Sequence, residues 1–305
     1  MSNTATVLAF DFGASSGRAI RAVYDGQNLT YEEIHRFENV PIEKDGHLCW
    51  DVETLLKEIH TAIQKAGTFD SLGFDTWGVD FGLLDADGHL LANPVHYRDA
   101  RTNGKPEQAA ACMPAEELYA HTGNQIMAIN TLFQLLALQE QEPELLQKAE
   151  QILFMPDLFA ALLGAEPVCE RSIASTSQML DPRTGQWSRE VLTAYGLKEN
   201  HFAPLVASGT VTGTLTTGAK IIAVAGHDTQ CASAAMPCAE EDAEHTAFLS
   251  CGTWSLLGTE LDTPILTADS CQSGLSNELG ANGKINYLKN IIGLWLIQES
   301  RREYK

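Results

Sequence analysis

Three stretches of this chain have residue types and spacings that could do chemistry. The first is residues 7–20, VLAFDFGASSGRAI. Four apolar residues end in Asp11, and a run of small residues, Gly13, Ala14, Ser15, Ser16 and Gly17, leads to Arg18. It reads as strand, tight turn, strand. A turn of small residues lets the backbone approach a ligand, and its successive N–H groups make an anion-binding concavity. Asp11 repels phosphate, but it can hold a Mg²⁺ that accompanies phosphate, through water. The alternative is an ordinary surface hairpin with an exposed aspartate. The Gly-Lys-Ser/Thr ending of a P-loop is missing.

The second stretch is residues 71–84, SLGFDTWGVDFGLL, a buried strand running into Asp75, Thr76, Trp77, Gly78, Val79 and Asp80. Two carboxylates, a threonine and a tryptophan at a strand end suit a small polar ligand, with the indole against a sugar face. A core tryptophan beside turn aspartates is the other reading. Arg98 and Arg101 flank Asp99 and either line the same pocket or form a surface ion-pair cluster. The third stretch is residues 221–236. A buried strand enters Gly226, His227, Asp228, Thr229 and Gln230, and a run of small, helix-compatible residues follows. Asp228 therefore stands at a strand-to-helix junction, where the helix N-terminus favours an ionised carboxylate. It is a candidate general base or simply a helix cap.

These stretches need elements to position them. Residues 28–37 read as a further strand of the first sheet. Asp51 caps a helix in which Val52, Leu55, Leu56, Ile59, Ala62, Ile63 and Ala66 recur at helical spacing, ended by Gly67. A turn at 85–88 sends residues 90–97 back as a strand. Residues 114–121 and 130–138 are helical, and 152–155 is a short strand. Residues 171–178, RSIASTSQ, read as a loop or strand edge. Residues 247–257, AFLSCGTWSLL, repeat the opening hairpin around Ser250, Cys251, Gly252 and Thr253. Two such hairpins suggest a duplicated architecture with a nucleotide between the halves, and the Gly, Ser and Thr-rich stretch 204–217 places the boundary near Ala219.

The 305 residues suffice for two domains with proper cores. A net charge of −20 argues against nucleic acid as a partner, because backbone binding needs clustered Lys and Arg. No apolar run approaches the roughly 18 residues of a membrane helix, and no signal peptide opens the chain. Cysteines at 49, 112, 169, 231, 238, 251 and 271 contain no CxxC pair, so reduced thiols and a cytoplasmic location are expected.

Taken in order, DFGASSGR (11–18), DTWGVDFGLL (75–84), YRDARTNG (97–104), MPDLF (155–159), GHDTQ (226–230), SCGTWSLLG (250–258) and LKNIIGLWLIQ (288–298) resemble the FGGY family of carbohydrate kinases. Within it the similarity is to the branch acting on L-rhamnulose. The resemblance implies an α/β, actin-like ATPase fold of two ribonuclease H-like domains around a cleft. Residues 1–218 would form the first domain and 219–305 the beginning of the second. It implies γ-phosphoryl transfer from ATP, with Mg²⁺, to give L-rhamnulose 1-phosphate. A kinase for L-fuculose or D-xylulose, or a non-catalytic sugar-binding protein, is the alternative. Ala14, Ser15, Ser16, Gly17 and Arg18, with Thr253 and Gln298, would meet ATP. Gly78, His227, Asp228, Thr229 and Asn290 would meet the sugar, Asp228 as general base, and Asp11 would hold the metal. Members of that branch are longer, so the sequence is expected to be a fragment, with the adenosine-binding segment after residue 305.

Overall fold

The computed structural model describes residues 4–239, 242, 245–252 and 254–304. Two sheets organise them. The first has six strands, in the order Thr210–Thr214, Lys220–Ala223, Ser71–Thr76, Ala5–Phe12, Ser16–Tyr24 and Leu29–Glu38. The three N-terminal strands form an antiparallel meander. Ser71–Thr76 and then Lys220–Ala223 add in parallel. A parallel neighbour needs a crossover, which the helix Val52–Ala66 supplies. Its Val52, Leu55, Ile59, Ala62 and Ala66 are buried, Asp51 accepts from Thr54 N, and Gly67 with φ 67° stops it. The strand alternation is equally direct. Leu8, Phe10 and Phe12 are buried on one face of the first strand. Phe10 stacks on Phe74 and Phe12 on Phe159, both at 4.8 Å between centroids. With a period of two, Asp11 and Asp75 turn to the other face.

The second sheet has four antiparallel strands, in the order Phe248–Cys251, Trp254–Leu261, Ile285–Ile292 and Ser276–Leu279. The edge strand Ser276–Leu279 is buried along its whole length because it is bonded to residues 123–175, far before it in the chain. Asn277 N donates to Gly123 O at 2.8 Å, Leu279 N to Ser175 Oγ at 2.9 Å, and Gln125 N to Ser276 Oγ at 3.0 Å. Gly123 sits at φ 66°, and a Cβ there would lie 2.9 Å from Asn277 Nδ2 and 2.7 Å from Leu266 Cδ2. Among the described residues no helix is long and apolar enough to cross a membrane.

Several local expectations change. The strand after Ala219 stays in the first sheet, and the second sheet begins only at Phe248. Residues 90–97 make isolated bridges, Leu84 with Leu90 and Cys49 with Val95, while Phe81–Leu84 pairs with Gln151–Phe154. Pro94 lacks the N–H that a continuous ladder needs. Residues 171–177 are helical turns (Arg171–Ala174, then Ser175–Ser177) rather than a loop. Glu170 accepts from Ser172 N and Ile173 N. The Ser175 and Thr176 hydroxyls donate back to Ser172 O and Ile173 O. Local side-chain bonds replace the apolar periodicity that would have announced the helix.

Candidate active site

The site is built on a row of charged side chains at one end of the first sheet. Asp11 is the register partner of Arg18 on one side and of Asp75 on the other, so all three point to the same face. Arg18 donates through Nε and Nη2 to Asp11 Oδ2 at 2.8 and 2.5 Å. The turn between them is pinned by Gly13 N to Ser16 O at 2.9 Å, Asn39 N to Ser15 O at 3.1 Å and Asn39 Nδ2 to Gly13 O at 2.9 Å. Ala14 and Ser16 are half-buried, Ser15 is exposed, and Gly17 is buried beneath the Phe37 ring. Asp75, read in the sequence as one of two carboxylates of a small polar ligand site, completes the row. Burial first, then the Asp11 and Asp228 charges, push its carboxyl well above the ordinary range.

Asp228 begins the helix Asp228–Ala234, just after the strand Lys220–Ala223. Thr76 N donates to Gly226 O at 2.9 Å, which ties that junction to the end of the Asp75 strand. The Asp228 side chain is 39% exposed. Its Oδ1 accepts from Thr229 N at 2.6 Å and Thr229 Oγ1 at 3.2 Å. Packing around it raises its carboxyl above the ordinary value, while His227 and the Thr229 bonds act in the opposite direction. His227 Nε2 lies 3.5 Å from Asp228 Oδ1, and its Nδ1 lies 2.8 Å from Glu278 Oε2. Burial alone would strip the ring of its proton. The Glu278 charge and hydrogen bond, then Asp228 and Asp75, outweigh burial and lift it to about 9. Glu278 was invisible in the sequence, because its partner lies 51 residues away on another sheet.

Gly78 roofs His227. A Cβ there would sit 3.4 Å from His227 Nε2 and from Thr176 Oγ1. The next residue, Val79, has φ 68°, a conformation a β-branched residue adopts only when its surroundings enforce it. Thr176 Oγ1 accepts from Val79 N at 3.1 Å, and Thr131 Oγ1 donates to Val79 O at 2.7 Å. For Trp77 and Asp80 the structure takes the second sequence reading, a core tryptophan beside an aspartate, rather than a ligand surface. Trp77 is 6% exposed and packs on Trp50 at 4.0 Å. Asp80 is fully buried and accepts from Trp50 Nε1, Trp77 Nε1, Tyr97 N and Gln134 Nε2. Thr76 is buried and donates to Trp77 O. These groups hold the Gly78 turn from behind. The two arginines part company: Arg101 is buried and donates to Gln134 Oε1 at 3.0 Å, whereas Arg98 lies over the Tyr97 and Trp254 rings.

Residues 6–234 match the N-terminal domain of the FGGY family of carbohydrate kinases. The chain belongs to that family. As an FGGY-family chain it is 41% identical over 307 residues to a rhamnulokinase of Bacteroides thetaiotaomicron, covering 96% of this chain and 63% of that protein. It is 40% identical to a rhamnulokinase of Enterococcus faecalis, covering 97% and 62%. The chain thus spans less than two thirds of the length of these relatives. Its fold is similar to that of a ligand-bound xylulose kinase from Lactobacillus acidophilus, with a TM-score of 0.75 at 17% identity, over 93% of this chain and 59% of that one. It is likewise similar to Plasmodium falciparum glycerol kinase with ADP, with a TM-score of 0.74 at 15% identity, over 97% and 63%. The α/β, actin-like sugar-kinase fold expected from the motifs is the fold observed.

In this FGGY chain the second hairpin repeats the first. Cys251 faces Ser255 across it, and Gly252 N donates to Trp254 O at 2.8 Å, as Gly13 N does to Ser16 O. Thr253 lies outside the described residues. Gln298 falls in the helix Trp295–Glu303, with its side chain outside the described set. Asn290 is half-buried in the strand Ile285–Ile292, opposite Leu256. It shares a face with Leu288 and Asn286, and Asn286 donates to Gln230 and Ser233 of the Asp228 helix. As for a metal, Asp11 and its register partner Asp75 offer hard oxygen donors that suit Mg²⁺.

Proposed function

We propose that this chain carries the sugar site and the first phosphate hairpin of an ATP-dependent kinase that phosphorylates L-rhamnulose to L-rhamnulose 1-phosphate. The observation that supports this best is the partly exposed Asp228 carboxylate, held by Thr229 and His227 beside the Asp11–Arg18 hairpin. The ketose choice rests on the two rhamnulokinase relatives.

In this reading, Gly78, His227, Thr229 and Asn290 seat the ketose with its 1-hydroxyl at Asp228. The hydroxyl is a poor nucleophile, and Asp228 accepts its proton as the bond to phosphorus forms. A carboxyl raised by burial is a stronger base than an exposed one, and the His227 charge acts in the opposite direction, favouring the ionised form. The turn of residues 13–17 presents backbone N–H groups to phosphate oxygens, and Arg18 adds charge. Phosphoryl transfer is mostly positioning and electrostatics, which suits a site made of fixed donors. Asp11, with Asp75 close by, would hold Mg²⁺, which neutralises phosphate charge when bound. Phosphate arrival also gives Arg18 a second anionic partner in competition with Asp11.

The test is calorimetric titration of the chain with L-rhamnulose, L-fuculose and D-xylulose. Selective binding of L-rhamnulose is expected. Preference for another ketose would reassign the substrate, and no heat with any of them from a cooperatively folded sample would remove the sugar reading.

A further inference from the structure

The His227 ring is clamped from two elements. Nδ1 lies 2.8 Å from Glu278 Oε2, and Nε2 lies 3.5 Å from Asp228 Oδ1. A carboxylate only accepts, so the Nδ1 proton points to Glu278. Glu278 is itself 5% exposed and is fixed by a second donor, Gln230 Nε2, at 2.7 Å. Its strand is anchored on either side by Asn277 N to Gly123 O and Leu279 N to Ser175 Oγ. The carboxylate therefore has little freedom to leave the ring.

We propose that Glu278 is a positioning residue for the Asp228 base: by taking the Nδ1 proton it fixes the His227 ring with Nε2 facing the Asp228 carboxylate under Gly78. This deepens the proposed function and rests on Asp228 being the base. The charged groups facing the ring are Glu278 from the edge strand, Asp228 from its own helix and Asp75 from the neighbouring strand. Glu278 faces Nδ1 and Asp228 lies 3.5 Å from Nε2, an arrangement that favours a proton on each nitrogen against the cost of burial. Because Glu278 comes from the second sheet and His227 caps the helix that follows a strand of the first, the base is set only when the two sheets are docked.

A simpler role would be a structural tie between sheets, and the ring signals separate the two. Proton–nitrogen correlation spectra of the ¹⁵N-histidine-labelled chain report the protonation of each ring nitrogen. The H227Q variant assigns the His227 signals. In the wild type both nitrogens should be protonated through pH 8, with titration near 9. In E278Q the midpoint should fall by at least about one unit, a tenfold loss of proton affinity. A lower melting temperature with an unchanged ring titration would show a structural tie and overturn the proposal. So would a neutral His227 ring at pH 7 in the wild type, a result that decides the matter even if E278Q does not fold. The spectra need no sugar. If the base reading itself fails, that failure appears separately, as near-normal turnover of Asp228→Asn in a protein carrying both kinase domains while the wild-type ring still titrates near 9, and the positioning role is then withdrawn.

Discussion

Gly17→Ala tests the packing on which the Asp11–Arg18 hairpin depends. Gly17 and Phe37 are register partners on adjacent strands, and the Phe37 ring lies across the glycine. A Cβ at position 17 would stand 2.3 Å from Phe37 Cζ and 2.4 Å from Cε2, where ordinary carbon contacts are about 3.5–4.0 Å. The ring must retreat by more than an ångström. It is buried and meets Phe12 edge-on at 5.3 Å, so it has no free space to enter. Overpacking of this kind costs about 1–3 kcal/mol, and replacing a strand glycine returns roughly 0.5–1 kcal/mol. The net expectation is a loss of about 1–2 kcal/mol. Phe37→Leu removes the clashing ring atoms, so in that background Gly17→Ala should keep only the gain of roughly 0.5–1 kcal/mol. The assay is urea unfolding of the wild type, both single variants and the double variant, followed by tryptophan fluorescence. Coupling of about 1–3 kcal/mol, opposite in sign to the Gly17→Ala loss, is expected. Additivity within about 0.5 kcal/mol would refute the contact as the reason for glycine at this position.

Four further outcomes follow from the geometry. Asp228→Asn, in a protein carrying both kinase domains, should lower kcat about 10²-fold or more while ketose binding persists; near-normal ADP release in a coupled assay would exclude the base role. Thr176→Val leaves the buried Val79 N–H without its acceptor and should cost about 1–3 kcal/mol, with ketose affinity falling because the Gly78 turn loses its tether; calorimetry and unfolding read both. Gly123→Ala forces a Cβ into Asn277 at a position with positive φ, and an unfolding midpoint equal to the wild type would contradict the tie between sheets. Finally, the His227 proton affinity is raised in the folded chain, so its stabilisation is complete below about pH 6.5 and is lost as pH rises through about 9. Unfolding free energies should fall by up to about 3 kcal/mol across that window, and the fall should be smaller in E278Q.

Much of this was legible in single residues. Asp11 at the end of an apolar run, followed by five small residues, announced the hairpin, because only small side chains permit so tight a turn near a ligand. Asp51, the 3–4 spacing of Val52 to Ala66 and Gly67 announced the helix. The position of Asp228 at a strand-to-helix junction was legible from the apolar run before it and the small residues after it. Trp77 was misleading. An indole at a strand end looks the same in sequence whether it faces a sugar or another indole, and only Trp50 and the Asp80 carboxylate behind it decide. Residues 171–177 were misread because their helix is held by hydroxyls and Glu170 rather than by an apolar stripe. The change of sheet was hard to place because 204–217, though rich in Gly, Ser and Thr, supplies an edge strand of the first sheet. Glu278 could not be found at all, since nothing local distinguishes it from other acids.

The stapled edge strand also bears on how the molecule acquires its shape. Asn277 pairs with Gly123 across 154 residues, Leu279 with Ser175 across 104, and Glu278 with His227 across 51. Contacts so distant along the chain require large loops to close before they return any stabilisation, which makes them slow to form. The opening meander and the Val52–Ala66 helix are local by comparison. The hairpin should therefore take shape early, while the environment of His227 is completed among the last events of refolding, when the strand from Ser276 to Leu279 reaches its berth.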